Sequence, residues 1–197
     1  MTEAKTKSQV RAKCPECGHV FLPSLKEKQS RAGKAARRKG ANFENKKAKE
    51  IAVWWNQGKS NYEFKRTPMS GGSALKEGFD MAGDICTNAP DFKWHLELKN
   101  QPSNFTGLHN FFSEKAKVWA WLRQAEEECP IDKNPMLIFN RFDMATFCAA
   151  FNDHASRISE RLERCKTQHF IFFYPDCVSV AVWQYKDMLE SDPENWK

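Results

Sequence analysis

The chain has 197 residues, 41% of them hydrophobic and 28% charged, with a net charge of +6. That is enough for one domain of ordinary size with a sizeable core, plus an appendage. The charge is uneven: residues 1 to 49 hold 14 Lys/Arg against 4 Asp/Glu, and the rest hold 17 against 21. A basic arm therefore precedes a mildly acidic body, and a polyanionic partner is expected, nucleic acid first.

Three classes drop out at once. Seven scattered cysteines, an odd number, do not make a secreted disulfide scaffold. The opening MTEAKTKSQV lacks the apolar stretch of a signal peptide. The longest apolar runs, FIFF and VSVAVW, are far too short to cross a bilayer. No membrane association and an intracellular, cytoplasmic location are expected.

In chain order, residues 1–13 read as a flexible basic lead. Cys14-Pro-Glu-Cys17-Gly18-His19 then reads as a zinc knuckle. Two thiolates in a C-x-x-C turn followed by Gly point at one ion, and His19 is close enough to be a third ligand. Structural zinc needs a fourth, and no second C-x-x-C exists, so the remainder would come from a distant side chain or another chain. Residues 24–42 are rich in Lys, Arg and Ala with few apolar anchors, which suits a linker or a helix that orders on a partner. Within them Arg37, Arg38 and Lys39 are the expected phosphate contacts. The expected division is a basic arm with its knuckle over 1–39, a main domain over 40–185 and a polar tail over 186–197.

From residue 40 the pattern becomes regular. GANFENKKAKEIAVWWNQG predicts a helix ending at Gly58, with an apolar stripe of Ala48, Ile51, Ala52 and Trp55. YEFKRTP predicts a strand stopped by Pro68, and MSGGSALKEG a mobile loop. GDICT and KWHLELK predict a hairpin around NAPDF. GLHNFFSEKAKVWAWLRQAEEEC predicts an amphipathic helix and PMLIFN a buried strand. Residues 143–165 are expected to hold one or two helices, followed by the strands HFIFFYP and VSVAVW. The order over residues 43–140 is α-β-β-β-α-β, which gives an α/β (α+β) sandwich with a mixed sheet.

The hairpin carries the chemistry. With its turn between Pro90 and Asp91, Asp84 faces Glu97, and directly opposed side chains stand roughly 5 Å apart at Cβ. Trp94, Leu96 and Leu98 share the core face, while His95, Glu97 and Lys99 share the other with Asp84. Opposed like charges destabilise a sheet unless a divalent cation lies between them. Lys99, two residues on, is placed to orient a water or to balance phosphate charge. One turn before the helix stripe stands Glu44, an acid at the edge of an apolar face that needs a cationic partner.

A helix Glu, then Asp, then Glu-x-Lys on that element order resembles the PD-(D/E)XK nuclease superfamily. RRKGANFEN, FKRTPMSGG, GDI and LELKN together look most like archaeal-type Holliday junction resolvases and related phage endonucleases. Gly83 stands where the family pattern has Pro, and the literal Pro90-Asp91 pair falls in the turn. The resemblance implies a restriction-endonuclease-like αβββαβ core whose mixed central sheet is flanked by helices, with further helices and strands after it. It implies a Mg²⁺- or Mn²⁺-dependent endodeoxyribonuclease acting on branched or duplex DNA, as a homodimer, in the host cytoplasm for a phage enzyme. Asp84, Glu97 and Glu44 would hold the cation and Lys99 would position the attacking water. Arg66, Ser70, Gly71 and Gly72 would approach the DNA backbone. A sequence-specific or nicking endonuclease and an exonuclease fit the same core. A non-catalytic, zinc-containing DNA-binding adaptor is the alternative from another class.

Overall fold

The computed structural model describes residues 12–13, 20–21, 25–68, 83–101, 117–141, 145–153, 156–173 and 179–197. The chain divides into two compact units, Met1–Lys39 and Gly40–Lys197. In the first, strands β1 (Ala12–Lys13) and β2 (Val20–Phe21) pair antiparallel, Lys13 with Val20. Helix α1 runs Leu25–Asn56 and so begins well before Gly40. Alanine and long unbranched side chains favour helix even where no apolar stripe marks one. The helix stops where Gln57 and Gly58 take φ of 43° and 72°, and Asn56 secures the exit by accepting from the Tyr62 N–H and donating to its carbonyl.

Beyond α1, β3 (Phe64–Arg66) pairs antiparallel with β4 (Ile85–Thr87). Strand β5 (Trp94–Gln101) opens a five-stranded sheet with β6 (Asn134–Arg141), β7 (Thr146–Phe151), β8 (His169–Phe173) and β9 (Ser179–Gln184). The strands lie in the order β5-β6-β7-β9-β8, parallel between β5 and β6 and antiparallel elsewhere. Helix α2 (Lys117–Glu127) connects the parallel pair, as a crossover must. Helices α3 (Ile158–Arg164) and α4 (Tyr185–Glu190) and a 3₁₀ turn at Pro193–Trp196 complete the described elements. The α-β-β-β-α-β order and the helix-flanked mixed sheet are as expected.

Alternation along the strands sends side chains to two cores. On one face Trp94, Leu96, Leu98, Met136 and Ile138 pack with Phe43, Ala48, Ile51, Trp54 and Trp55 of α1. On the other, Leu137, Phe139, Ala149, Val180 and Val182 pack with Val118, Trp119 and Leu122 of α2.

Three local expectations are corrected. TFCAAF is strand β7, not helix: between β6 and β9 its Cys148, Ala149 and Ala150 are fully buried, and sheet packing overrides the helical preference of alanine. β4 and β5 do not form an antiparallel ladder with Asp84 opposite Glu97. β4 pairs with β3 instead, and meets β5 only through a parallel bridge between Gly83 and Leu96. Residues 186–197, expected as a polar tail, are packed: Met188 and Trp196 are buried in the first core. The Trp94 indole donates to the Trp196 carbonyl at 2.8 Å, and the Trp54 indole to the Ser191 carbonyl at 2.9 Å.

Candidate active site

The site forms where β4 meets β5, and Gly83 is its hinge. Its φ of 80° lies in the left-handed region, and a Cβ there would stand 2.6 Å from the Leu96 carbonyl oxygen. Only glycine allows both the turn and the approach. That accounts for Gly where the family pattern has Pro, since proline fixes φ near −65°.

Asp84 follows and is held from three sides. Its N–H donates to the Leu96 carbonyl at 2.8 Å, and its carbonyl accepts from the Thr67 N–H at 2.9 Å. Its Oδ2 accepts from the Leu98 N–H at 2.7 Å. The carboxylate is thus fixed beside the stretch of β5 that carries Glu97 and Lys99. Glu97 is near enough for its charge to act on Asp84, through this bridge and not through a hairpin register.

Glu97 is buried, and the Lys99 ammonium donates to its Oε1. Glu44, on α1, is ion-paired with Arg66 of β3. Burial first, then the Glu97 charge, lifts the Asp84 carboxyl from 3.8 to about 7. Glu44 adds to the rise, while the Leu98 N–H and Lys99 oppose it. Glu97 is also raised, by burial first, against the hydrogen bond and charge of Lys99, with Glu128 and Glu44 adding to the rise. Four carboxylates, Asp84, Glu97, Glu44 and Glu128, and the Lys99 ammonium therefore share one electrostatic neighbourhood. Two of the acids are held where negative charge is costly.

That donor set fits a divalent cation. Asp84 and Glu97 offer hard oxygen ligands, and a cation held by them would compensate for the burial that raises both carboxyls and for the negative charges around them. Glu97 has further neighbours. One ligand atom each from His95, Glu97 and Glu128 lie within 4.8 Å of one another, with His95 and Glu97 buried and Glu128 exposed. His95 stands in the sequence on the acid-bearing face of β5. Glu128 had no sequence signal beyond the acid run AEEEC at the end of a helix.

Arg66, expected against DNA, is engaged by Glu44. Arg37, Arg38 and Lys39 lie exposed on α1 in the first unit. Cys14, Cys17, His19, Ser70, Gly71 and Gly72 lie outside the described residues. Strands β1 and β2 directly flank residues 14–19. Asp91, in the turn, is exposed and faces Lys197 at 3.9 Å. The described cysteines Cys86, Cys129, Cys148 and Cys165 are free thiols. Among the described residues no helix is long and apolar enough to cross a membrane.

A helix-flanked mixed sheet that brings Asp, Glu-x-Lys and a helix Glu together defines the PD-(D/E)XK nuclease class. Within it the chain matches, over residues 35–193, the family described as phage putative PDDEXK endonuclease. That span covers most of the sequence, and the chain belongs to this family. No curated protein and no solved structure gives a significant match.

Proposed function

We propose that this protein is a Mg²⁺- or Mn²⁺-dependent DNA endonuclease that hydrolyses phosphodiester bonds in branched DNA. The observation that carries the reading is the fixing of the Asp84 carboxylate by the Leu98 N–H, between the neighbouring strand positions of Glu97 and Lys99. Asp84 is lifted to about 7 by burial and by Glu97, beside the Glu97–Lys99 ion pair. Both acids would hold the cation, with Glu44 completing the acidic set. The bound cation supplies Lewis-acid stabilisation of charge developing on the scissile phosphate and makes water more acidic. Lys99 orients the attacking water and balances the added negative charge on the phosphate. Asp84 is held in register by the Leu96 and Leu98 backbone, so its carboxylate is in position before the phosphate arrives.

DNA would be held by Arg37, Arg38 and Lys39, by Arg66 once it exchanges Glu44 for phosphate, and by the backbone around Ser70, Gly71 and Gly72. The antiparallel β1–β2 pair flanking Cys14, Cys17 and His19 supports a small structural zinc element in the basic arm. Two symmetric nicks on a four-way junction need two sites, and a C2 homodimer supplies them. Its place would be the host cytoplasm.

The test is cleavage of a labelled four-way junction, a linear duplex and a single strand, with Mg²⁺ or with EDTA. Metal-dependent junction cleavage that is lost in Glu97→Ala and Lys99→Ala is expected. Preferred cutting of the duplex, or digestion from ends, would move the reading to a sequence-specific enzyme or an exonuclease on the same core. DNA binding without cleavage, weakened by Arg37→Ala/Arg38→Ala, would instead mark a non-catalytic adaptor. Zinc content before and after Cys14→Ser checks the knuckle.

A further inference from the structure

We propose that His95, Glu97 and Glu128 form a second cation site, on the α2 side of β5, that takes a first-row transition-metal ion such as Mn²⁺ in preference to Mg²⁺. The proposal rests on the nuclease reading only in sharing Glu97 with the catalytic carboxylates. Its other two members belong to no motif of that reading.

The geometry begins with the strand. His95 and Glu97 are two residues apart on β5 and project to the same face. Helix α2 covers that face, and Glu128, the first residue past its end, returns a carboxylate to both. One ligand atom from each of the three lies within 4.8 Å of the others, the spacing of donors around one ion. The Gln124 side-chain amide donates to Glu128 Oε1 at 3.1 Å and orients that carboxylate. His95 and Glu97 form a buried floor, while Glu128 is exposed. The site therefore has a protein wall for selectivity and an open side for ion entry and for water ligands.

A separate observation points to a cation. Helix α2 ends in Glu126 and Glu127, Glu128 follows, and its last turn holds no basic residue. The C-terminal end of a helix already carries partial negative charge, so acids there are placed against the dipole. A cation held by Glu128 would offset the unfavourable charge at that helix end.

The donor set selects the ion. Mg²⁺ demands oxygen ligands in near-ideal octahedral geometry. One imidazole nitrogen with two carboxylates suits Mn²⁺, Fe²⁺ or Zn²⁺ better. Asp84 with Glu97 offers only oxygen, so the two sites differ in preference although they share a ligand.

The experiment titrates the full, chelator-treated chain with Mn²⁺ and follows the bound ion by electron paramagnetic resonance in a large excess of Mg²⁺. Pulsed measurements detect nitrogen coupled to the bound Mn²⁺. The parent is expected to hold a Mg²⁺-resistant Mn²⁺ with imidazole nitrogen coupling. His95→Gln should abolish that coupling. Glu128→Gln, at an exposed position, should weaken binding by about tenfold or more. Asp84→Asn should leave this ion in place.

A parent with no Mg²⁺-resistant Mn²⁺ overturns the proposal. So does bound Mn²⁺ without nitrogen coupling, or Glu128→Gln and His95→Gln chains that bind as the parent does. The two readings fail separately. If no DNA is cut but nitrogen-coupled Mn²⁺ remains, the nuclease reading falls and the cation site stands. If DNA is cut but both variants bind Mn²⁺ like the parent, the cation site falls and the nuclease stands.

Discussion

The two faces of β5 are buried to the same depth and built from opposite chemistry. Trp94 and Leu96 are each 2% exposed on one face, while His95 is 1% and Glu97 3% exposed on the other. The first face gains by leaving water, at roughly 25 cal/mol per Å² of apolar surface. The second is penalised for it, because a buried carboxylate lacks the hydration that stabilises its charge. Burial alone therefore does not identify a core residue. A strand that spends stability on one face and gains it on the other is carrying a site.

Substitutions on the two faces should act in opposite ways. Trp94→Ala should give the largest effect, a loss of about 3–5 kcal/mol in urea unfolding, since it empties core volume and strands the Trp196 carbonyl. If Trp94→Ala unfolds at the parent's urea midpoint, the apolar face is not what holds β5.

Glu97→Gln should behave in the opposite way. Cleavage should fall by on the order of 100- to 1000-fold, while metal-free stability at pH 8 equals or exceeds the parent's because a buried charge is gone. Single-turnover cleavage and a thermal melt on the same preparation check both halves.

Asp84 has its folded carboxyl at about 7, above its unfolded 3.8. The folded state therefore binds the proton more tightly. Its stabilising contribution is complete below pH 3.8 and is lost as pH rises through 7. The metal-free parent should lose on the order of 3 kcal/mol between pH 4 and pH 8 from this group. The Asp84→Asn chain, melted alongside, should not show that loss. Cation affinity should rise over the same window, with proton release measurable by calorimetry in two buffers.

The smallest effect is expected at the hinge. Gly83→Ala should cost about 1–3 kcal/mol and lower cleavage, since its Cβ would meet the Leu96 carbonyl and shift Asp84. A variant that is destabilised but cuts normally would show that the bridge supports the fold and not the carboxylate's position.

Much of this arrangement is legible in the sequence because its signals are local. Gly58 and Pro68 punctuate the first helix and strand, and alternation sorts Trp94, Leu96 and Leu98 from His95, Glu97 and Lys99. What escapes is set by partners far along the chain. TFCAAF has little strand character of its own and becomes one between β6 and β9. The hairpin expectation failed because β4 had a better partner in β3, and because a parallel bridge leaves no mark on periodicity. Asp84 nevertheless lies within electrostatic reach of Glu97, through a backbone bridge that no hairpin register describes. Glu128 was invisible because helical periodicity shows which face of α2 is apolar, not which strand its end overhangs. Trp196 and Met188 sit among charged neighbours, and only the tertiary structure shows that they turn inward.

The Trp94–Trp196 and Trp54–Ser191 hydrogen bonds span 102 and 137 residues. Each asks the chain to close a loop whose entropy is about 4 kcal/mol before any contact rewards it. Contacts of such long range are intrinsically slow to form. The strand that carries Glu97 would be secured late, when the final 3₁₀ turn docks. In refolding from urea, tryptophan fluorescence should reach its native value on the same slow phase that restores cleavage.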